Sequence, residues 1–413
     1  MEDKPHFVTG LDVGTENVRA VIGTLKDGKL AVYGYNEGKN AGMRKGVPAN
    51  LNGPASSIDR MLGEAERMGD YDVRSAYVSI NGSQILSTRT EGMIAVGATT
   101  EHEINTDDLD RVEDVAVTGN VPANRDILDV VPLEYAIDGQ GGIKDPVGMS
   151  GARLEMRATV ISALAPNCEH LRKATEKAEV SATRLVPSVV AAAKAVLTDR
   201  QKENGVAVID MGAATTSVAV YEEGDLQYVG VVPAGSNNIT NDLAILLAID
   251  PEMAEDIKTR FVTGDFDTEK SPVIKIGSKD KNHERNFDRK EVDAVVKARL
   301  EEIFGEVRKK LKAAKYDQRL PEGIILTGGG ARMRDIDLFA KKAMEASVKI
   351  GIPLDLTGVS EAITRPEFAA AVGLAMMAAE DQAYAVKPAK SKKKTAKSTK
   401  TSGNIFRKIF SKF

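Results

Sequence analysis

The chain opens with three short apolar runs, Phe7–Val13, Val18–Leu25 and Lys29–Tyr35, separated by turn signals at Asp12-Val13-Gly14 and Lys26-Asp27-Gly28. Runs of this length bounded by Asp and Gly predict strands joined as a meander. The period then changes. Ile58, Met61, Leu62 and Ala65 recur at three- and four-residue steps, which predicts an amphipathic helix across Pro54–Met68. Val73–Ile80 reads as another strand. From Gln84 to Ala163 the texture is strand-rich, with one helical stretch at Thr106–Val117 and a glycine-rich run, Asp138-Gly139-Gln140-Gly141-Gly142, before Lys144-Asp145-Pro146. That block predicts a small α+β insertion. A helix over Asn167–Ala178, the strand-like Arg184-Leu185-Val186 and a helix from near Pro187 follow it.

A second strand–turn–strand unit begins at Val206. The apolar run Val206–Ile209 ends in Asp210-Met211-Gly212, as the first ended in Asp12-Val13-Gly14, and strands near Thr216–Tyr221 and Leu226–Val232 complete the unit. Two similar meanders that each open on Asp-x-Gly predict an internal duplication at the scale of a domain. Helices are expected over Asn237–Ala248, Pro251–Phe261 and Arg289–Ala314, then a strand at Gly323–Leu326, a break at Gly328–Gly330, helix through Phe339 to Ala346, and a last body helix over Pro366–Ala379. The fold class expected is α/β, with two duplicated lobes. A length of 413 residues fits two or three domains.

Composition narrows the chemistry. One cysteine, Cys168, excludes an internal disulfide framework or a Cys-rich zinc site, and His6, His102, His170 and His283 never fall in ligand spacing. No Trp and few aromatic residues argue against an aromatic-lined channel for single-stranded nucleic acid. The net charge of −4 hides an asymmetry, because 387–413 carry ten Lys or Arg and no acid. The body is strongly acidic and the tail basic, which suggests a charged surface as the tail's partner. Met1-Glu2-Asp3-Lys4 running straight into a strand predicts no signal peptide, and the longest apolar stretch, Phe368–Ala379, is short of the roughly 20 residues of a span. A cytoplasmic protein is expected.

A strand that ends in Asp-x-Gly and turns back brings backbone N–H groups and a carboxylate to one place. The N–H groups can cradle phosphate oxygens, and the carboxylate can hold Mg²⁺ through water. One such motif is usually only a turn. Two of them in duplicated hairpins could clamp a triphosphate from both sides, with Asp12 and Asp210 as the metal carboxylates. In Ile324-Ile325-Leu326-Thr327-Gly328-Gly329-Gly330-Ala331-Arg332-Met333, a strand runs into three glycines that let a flat group approach the backbone, and a following helix would offer free N–H groups. No Walker A sequence is present: Gly34-Tyr35-Asn36-Glu37-Gly38-Lys39 has the wrong spacing and reads as a loop.

These residues resemble the actin superfamily, and within it the FtsA family of bacterial cell-division proteins. Asp12-Val13-Gly14-Thr15, with Glu16 and Asn17 beside it, resembles the first phosphate loop, and Arg19 stands where the superfamily often places Lys. Asp210-Met211-Gly212-Ala213-Ala214-Thr215-Thr216 resembles the second loop, and Thr327–Arg332, with Met333, the adenosine motif. Asn238–Asp242, including Asn241, and Glu255-Asp256-Ile257-Lys258 resemble second-lobe helices, with Lys258 beside the ribose or adenine. The string from Asp138 through Lys144-Asp145-Pro146 to Leu154 resembles the subdomain that is the family's own. The second loop departs from the family's Gly-Gly-Gly-Thr-Thr-Asp: Ala213 and Ala214 add Cβ atoms, and Ser217 replaces a carboxylate. Those departures bear on hydrolysis more than on binding.

The resemblance implies an actin-like fold of two lobes around a nucleotide cleft. First-lobe core is expected over 1–83, 164–196 and 360–386, an FtsA-type insertion over 84–163, second-lobe core over 197–232 and 318–359, and a helical subdomain over 233–317. A disordered basic linker over 387–402 would lead to a helix over 403–413. It also implies ATP and Mg²⁺ as cofactors, at most a weak ATPase activity, self-assembly into filaments, and attachment of the FtsZ ring to the cytoplasmic face of the membrane at the division site. Arg299 and Glu302 fall where the family contacts FtsZ, and the insertion would face later division proteins. No nucleic-acid partner is expected.

In the tail, Ile405, Phe406, Ile409, Phe410 and Phe413 share one helical face, and Arg407, Lys408 and Lys412 occupy the rest. This is an interfacial amphipathic helix in miniature. It is too short to be stable alone in water, and the lysines upstream of it add up to ~1 kcal/mol each near anionic lipid. One tail is therefore a weak anchor, and a filament presenting many tails a strong one. Related assembly proteins of the PilM or MreB kind are the alternatives, separated by the insertion string and the tail. A small-molecule kinase of the superfamily would need a general base for its acceptor hydroxyl, for which there is no dedicated candidate. A heat-shock-type chaperone would need a peptide-binding domain after residue 380, where only a linker and tail follow.

Overall fold

The computed structural model describes residues 6–97, 102–266, 271–277, 284–316, 320–358 and 361–386. Its first lobe is built on a six-stranded sheet in the order Ser181–Pro187, Ser75–Ile80, Val8–Val13, Asn17–Lys26, Lys29–Lys39 and Leu356–Gly358. Val8–Val13 is buried at every position, as expected of a central strand covered on both faces. It pairs antiparallel with Asn17–Lys26 and parallel with Ser75–Ile80. The helix Asn52–Gly69 buries Ile58, Met61, Leu62 and Ala65. The helices Ser188–Val196 and Ala369–Val386 also pack into this lobe, and their small residues let backbones approach closely. A Cβ on Gly10 would lie 2.1 Å from the Ala371 carbonyl oxygen, and one on Gly373 only 1.7 Å from that of Ala191. Substitution at either position would push helix and neighbour apart.

The second lobe repeats the plan. Its five-stranded sheet runs Asp225–Val232, Thr216–Glu222, Val206–Met211, Ile324–Thr327 and Val348–Ile350, again a three-strand meander followed by two parallel strands. The long helix Arg289–Ala313 buries Val292, Val296, Leu300, Ile303, Phe304, Val307 and Leu311, a three- and four-residue repeat that continues for six turns. Helices Ser236–Leu247 and Pro251–Phe261 complete this half. Asp250 and Asp288 cap the helices that follow them by accepting from the backbone N–H groups of Met253 and Lys290. The insertion is a separate four-stranded sheet, ordered Leu86–Ala95, Arg153–Leu164, Arg125–Ile137 and Gln140–Ile143, with the helix Thr106–Val117 on its face. It has its own apolar core of Ile94, Ile104, Val112, Leu154 and Met156 among others.

Several expectations change. Residues 34–39 are not a loop: they continue the third strand to Lys39, because Gly38 and Lys39 pair with Val18 and Asn17 past an irregularity at Ile22/Gly23. The second lobe does not run to 359. Leu356–Gly358 pairs in parallel with Leu30–Val32, so the chain has already returned to the first-lobe sheet. The three glycines do not open an α-helix directly. A 3-10 turn, Gly329–Arg332, comes first, and the helix spans Ile336–Met344. The last body helix runs Ala369–Val386, seven residues beyond its expected end, after a 3-10 turn at Pro366–Phe368. The hairpin Val273–Gly277 with Glu284–Asp288 is unexpected: its first strand carries a β-branched signal in Val273, Ile274 and Ile276, but the second is mostly polar. The linker over 387–402 and the terminal helix over 403–413 lie outside the described residues.

Candidate functional site

The two Asp-x-Gly turns fold alike. The Gly14 N–H donates to the Asn17 carbonyl at 3.0 Å, and the Gly212 N–H donates to the Thr215 carbonyl at 2.9 Å. Each turn closes a hairpin at the end of its lobe's central strand, and the pair opens onto one cleft of about 320 Å³. That size suits a small organic ligand. Asn40 steadies the first turn by donating from Nδ2 to the Gly14 carbonyl at 2.7 Å, and the Thr15 hydroxyl accepts from Gly46 N–H. The second turn is tied to the start of a helix, with Ser236 N–H donating to the Gly212 carbonyl and Asn237 N–H to that of Ala213.

Asp12 and Asp210 occupy the floor. Ser79 donates to Asp12 Oδ1 at 2.6 Å, and Arg19 stands 3.8 Å from its other oxygen. Ser188 donates to Asp210 Oδ2 at 2.9 Å and also sits against the Asn81 amide oxygen. Burial raises the Asp12 carboxyl above its ordinary value despite Arg19 and Ser79. Asp210 is pushed up to about 6, chiefly by burial and then by the negative charge of Asp12. A buried carboxyl group raised by burial, beside a second one raised by burial and by the first one's charge, makes a floor that a cation would relieve. Among the described residues, no three His, Cys, Asp or Glu are grouped to hold a metal ion. A cation here would therefore rely on water and on its ligand for most of its coordination.

The rim is built of paired charges and is bridged. Lys39 pairs with Glu16 at 2.5 Å, and Asn237 of the second lobe donates to the other oxygen of Glu16 at 3.0 Å, joining the lobes across the cleft. Burial pushes the Glu16 carboxyl up, but the hydrogen bonds from Lys39 and Asn237 outweigh it and leave it below its ordinary value. Lys258 is buried, with its ammonium 2.6 Å from Glu255, 2.8 Å from the Thr240 hydroxyl and 3.3 Å from the Ser236 carbonyl. On the third wall Gly328 has φ +86°, and a Cβ there would lie 2.3 Å from Asp210 Oδ1. Glycine is required at this position by conformation and by space. Its N–H donates to the Pro366 carbonyl, which places Glu367 in the wall, where Arg332 and Arg365 pair with it at 3.1 and 3.2 Å.

The cleft brings together Asp12, Gly14, Thr15, Glu16, Asn17, Arg19, Asp210, Gly212, Ala213, Thr215, Glu255, Lys258, Gly328, Gly329, Gly330, Arg332 and Met333. Two expected members stand elsewhere. Thr216 is fully buried in its strand and donates to the Ala234 carbonyl at 2.8 Å. Asn241 is exposed on the helix Ser236–Leu247 and does not line the cleft, because Lys258 and Glu255 meet the preceding residue, Thr240, instead. Lys39, Asn81, Ser188, Ser236, Asn237 and Glu367 join the lining without having been expected. Asn81 and Ser188 directly follow the parallel strands Ser75–Ile80 and Ser181–Pro187, and the carboxyl ends of such strands are where ligands gather. That signal was available. Glu302 is exposed on the long helix, whereas Arg299 is held by Asp242 through Nε at 2.6 Å and Nη2 at 3.0 Å. The eight tail residues, Ile405 to Phe410, Lys412 and Phe413, lie outside the described residues.

Two family models match the chain. One, "Cell division protein FtsA", covers residues 207–373, and another, "SHS2 domain inserted in FTSA", covers 82–162. A cell division protein FtsA of Pseudomonas aeruginosa is 31% identical over 383 residues, covering 91% of this chain and 90% of its own length. The chain belongs to the FtsA family of cell division proteins. FtsA of Escherichia coli K12 is likewise 31% identical, over 378 residues and 89% of each chain. Among solved structures, the PilM-PilN type IV pilus biogenesis complex matches with a TM-score of 0.66 at 16% identity, covering 90% of this chain and 98% of that one. The ethanolamine utilization protein EutJ of Carboxydothermus hydrogenoformans matches with a TM-score of 0.52 at 18% identity, covering 90% of each. The two-lobed architecture of this FtsA-family chain is thus the actin-like fold, with the SHS2 insertion as its third body.

Proposed function

We propose that this chain is an ATP-binding, actin-like division protein that polymerises and ties the FtsZ ring to the cytoplasmic face of the membrane. The observation that carries the nucleotide part is the facing pair of turns, with Asp12 and Asp210 meeting from duplicated lobes in one cleft. Backbone N–H groups of the turns receive the phosphates, Lys258 and Glu255 flank the ribose or base, and Gly328–Gly330 let the nucleotide lie against the backbone. Mg²⁺, held by the two carboxylates through water, supplies charge neutralisation for the phosphates. A structure of similar fold supports the ligand class: MreB 5 of Spiroplasma citri, matching with a TM-score of 0.50 at 14% identity, is bound to AMPPNP.

Hydrolysis is at most weak. Ala213 and Ala214 line the cleft where the family carries glycines, and Ser217 is buried opposite Asp210 in the strand register and does not line it. Membrane attachment is assigned to the face made by Ile405, Phe406, Ile409, Phe410 and Phe413, assisted by Arg407, Lys408 and Lys412. Among the described residues no helix is long and apolar enough to cross a membrane. The FtsZ contact is assigned to the long helix around Glu302, with Arg299 positioning it, and the insertion receives later division proteins.

Flotation with anionic vesicles, ATP and purified FtsZ tests this reading, with the full chain compared against a 1–402 truncation. FtsZ should float only with the full chain. If the full chain floats and leaves FtsZ behind, the tether fails; if it does not float, the tail is no membrane helix.

A further inference from the structure

The insertion belongs by chain connection to the first lobe, yet it holds the second. Three of its segments grip the edge strand Asp225–Val232. Ser87 Oγ donates to the Val229 carbonyl at 2.9 Å and accepts from the Val229 N–H at 3.0 Å. Thr159 donates to the Gln227 carbonyl at 3.2 Å, and Arg89 bonds the Gln227 amide oxygen and the Tyr316 hydroxyl at 2.9 and 2.8 Å. Lys144 pairs with Asp225 at 2.7 Å and with Glu223 at 3.5 Å. These side chains satisfy part of what would otherwise be a bare sheet edge.

The other end of the same strand leads to the cleft, whose lining begins four residues on, at Ser236 and Asn237. Val229 lies about 10 Å from Val232 at the rise of an extended strand. Val232 pairs with Thr216, whose hydroxyl binds the Ala234 carbonyl, and Ser236 and Asn237 then bond the second Asp-x-Gly turn and Glu16. The run 225–237 is therefore gripped by the insertion along its strand and lines the ligand cleft at Ser236 and Asn237. A lobe movement that repositions Asn237 against Glu16 has to carry the strand with it, and the insertion is fastened to that strand.

We propose that the insertion regulates the cleft through strand Asp225–Val232, so that its grip on the strand and nucleotide binding are thermodynamically linked. This rests on reading the cleft as a nucleotide site. By reciprocity, nucleotide strengthens the grip as much as the grip strengthens nucleotide binding, and a partner that pulls the insertion away releases nucleotide. Loosening the strand leaves it more freedom for the ligand to remove, which lowers affinity.

The test uses the full chain, a fluorescent ATP analogue with Mg²⁺, and amide hydrogen exchange across 225–237. Lys144→Glu sets a carboxylate against Asp225 and Glu223. It should speed exchange in the strand and weaken analogue binding about threefold, in keeping with a partly exposed ion pair turned repulsive. The swap Lys144→Glu/Asp225→Lys should return both readouts toward those of the unaltered chain. Faster exchange with unchanged affinity overturns the coupling while leaving the nucleotide reading intact. An unaltered chain that binds no analogue overturns both. Should Lys144→Glu fail to fold, Lys144→Ala decides by the same pair of readouts.

Discussion

Replacing Asp210 with Asn should make the ligand-free protein more stable while removing its response to nucleotide. Burial and the charge of Asp12 push the Asp210 carboxyl up to about 6, against ~3.9 for an ordinary Asp. At ~1.4 kcal/mol per unit, the ionised group costs about 3 kcal/mol at neutral pH. The cleft is open to water, which screens part of this, so about 1–2 kcal/mol is expected in practice. Asn keeps an oxygen to accept the Ser188 hydrogen bond, so packing is preserved. Because the folded-state pKa is raised, the penalty is complete above about pH 6 and fades as pH falls toward the unfolded value near ~4. Denaturant unfolding of both proteins should therefore show the variant ahead at about pH 7.5 and the gap closing by about pH 4.5. Adding ATP and Mg²⁺ should stabilise the unaltered chain and leave the variant where it was. A variant no more stable at neutral pH, or a gap that does not change with pH, would refute the account of Asp210 as a destabilised, functional charge.

Gly328→Ala places a Cβ 2.3 Å from Asp210 Oδ1 at a φ of +86°; unfolding should show a loss of about 1–3 kcal/mol, with nucleotide titration abolished. Lys258→Ala removes the ammonium that bonds Glu255, Thr240 and Ser236, and should weaken nucleotide binding roughly tenfold while lowering stability by about 1–2 kcal/mol. Arg299→Ala and Glu302→Ala separate two roles on one helix. The first frees Asp242 and should cost about 1–2 kcal/mol in unfolding experiments. Glu302→Ala should leave stability within about 0.5 kcal/mol and reduce FtsZ co-sedimentation.

The duplication and the two phosphate-type turns were legible because their signals are local. A strand that ends in Asp-x-Gly carries its own turn chemistry, and Asp12 and Asp210 need no distant partner to be noticed. The long helix from Arg289 was legible for the same reason, through a periodic apolar face. Lys39 was not: its residues spell a loop, and only pairing with Asn17 makes them strand and aims them at Glu16. Thr216 and Asn241 failed in the opposite sense. Thr216 follows the cleft residue Thr215 but is buried within its strand, and Asn241 follows Thr240, which bonds Lys258 and Glu255, but the helix turns it outward.

Composition, periodicity and turn residues by themselves determined two α/β lobes, an insertion within the first and a basic tail, because each depends on neighbours within a few positions. Only the tertiary structure decided which carboxylates meet. Asp12 and Asp210 stand 198 positions apart in the sequence, and the shift of Asp210 exists only because folding places it beside Asp12 and away from bulk water. The return of Leu356–Gly358 to the first sheet and the grip of Ser87, Arg89, Thr159 and Lys144 on the second lobe are likewise products of packing. Hydrogen bonds and ion pairs formed across long stretches of chain leave no mark in local sequence, since their partners are chosen by the assembled surfaces.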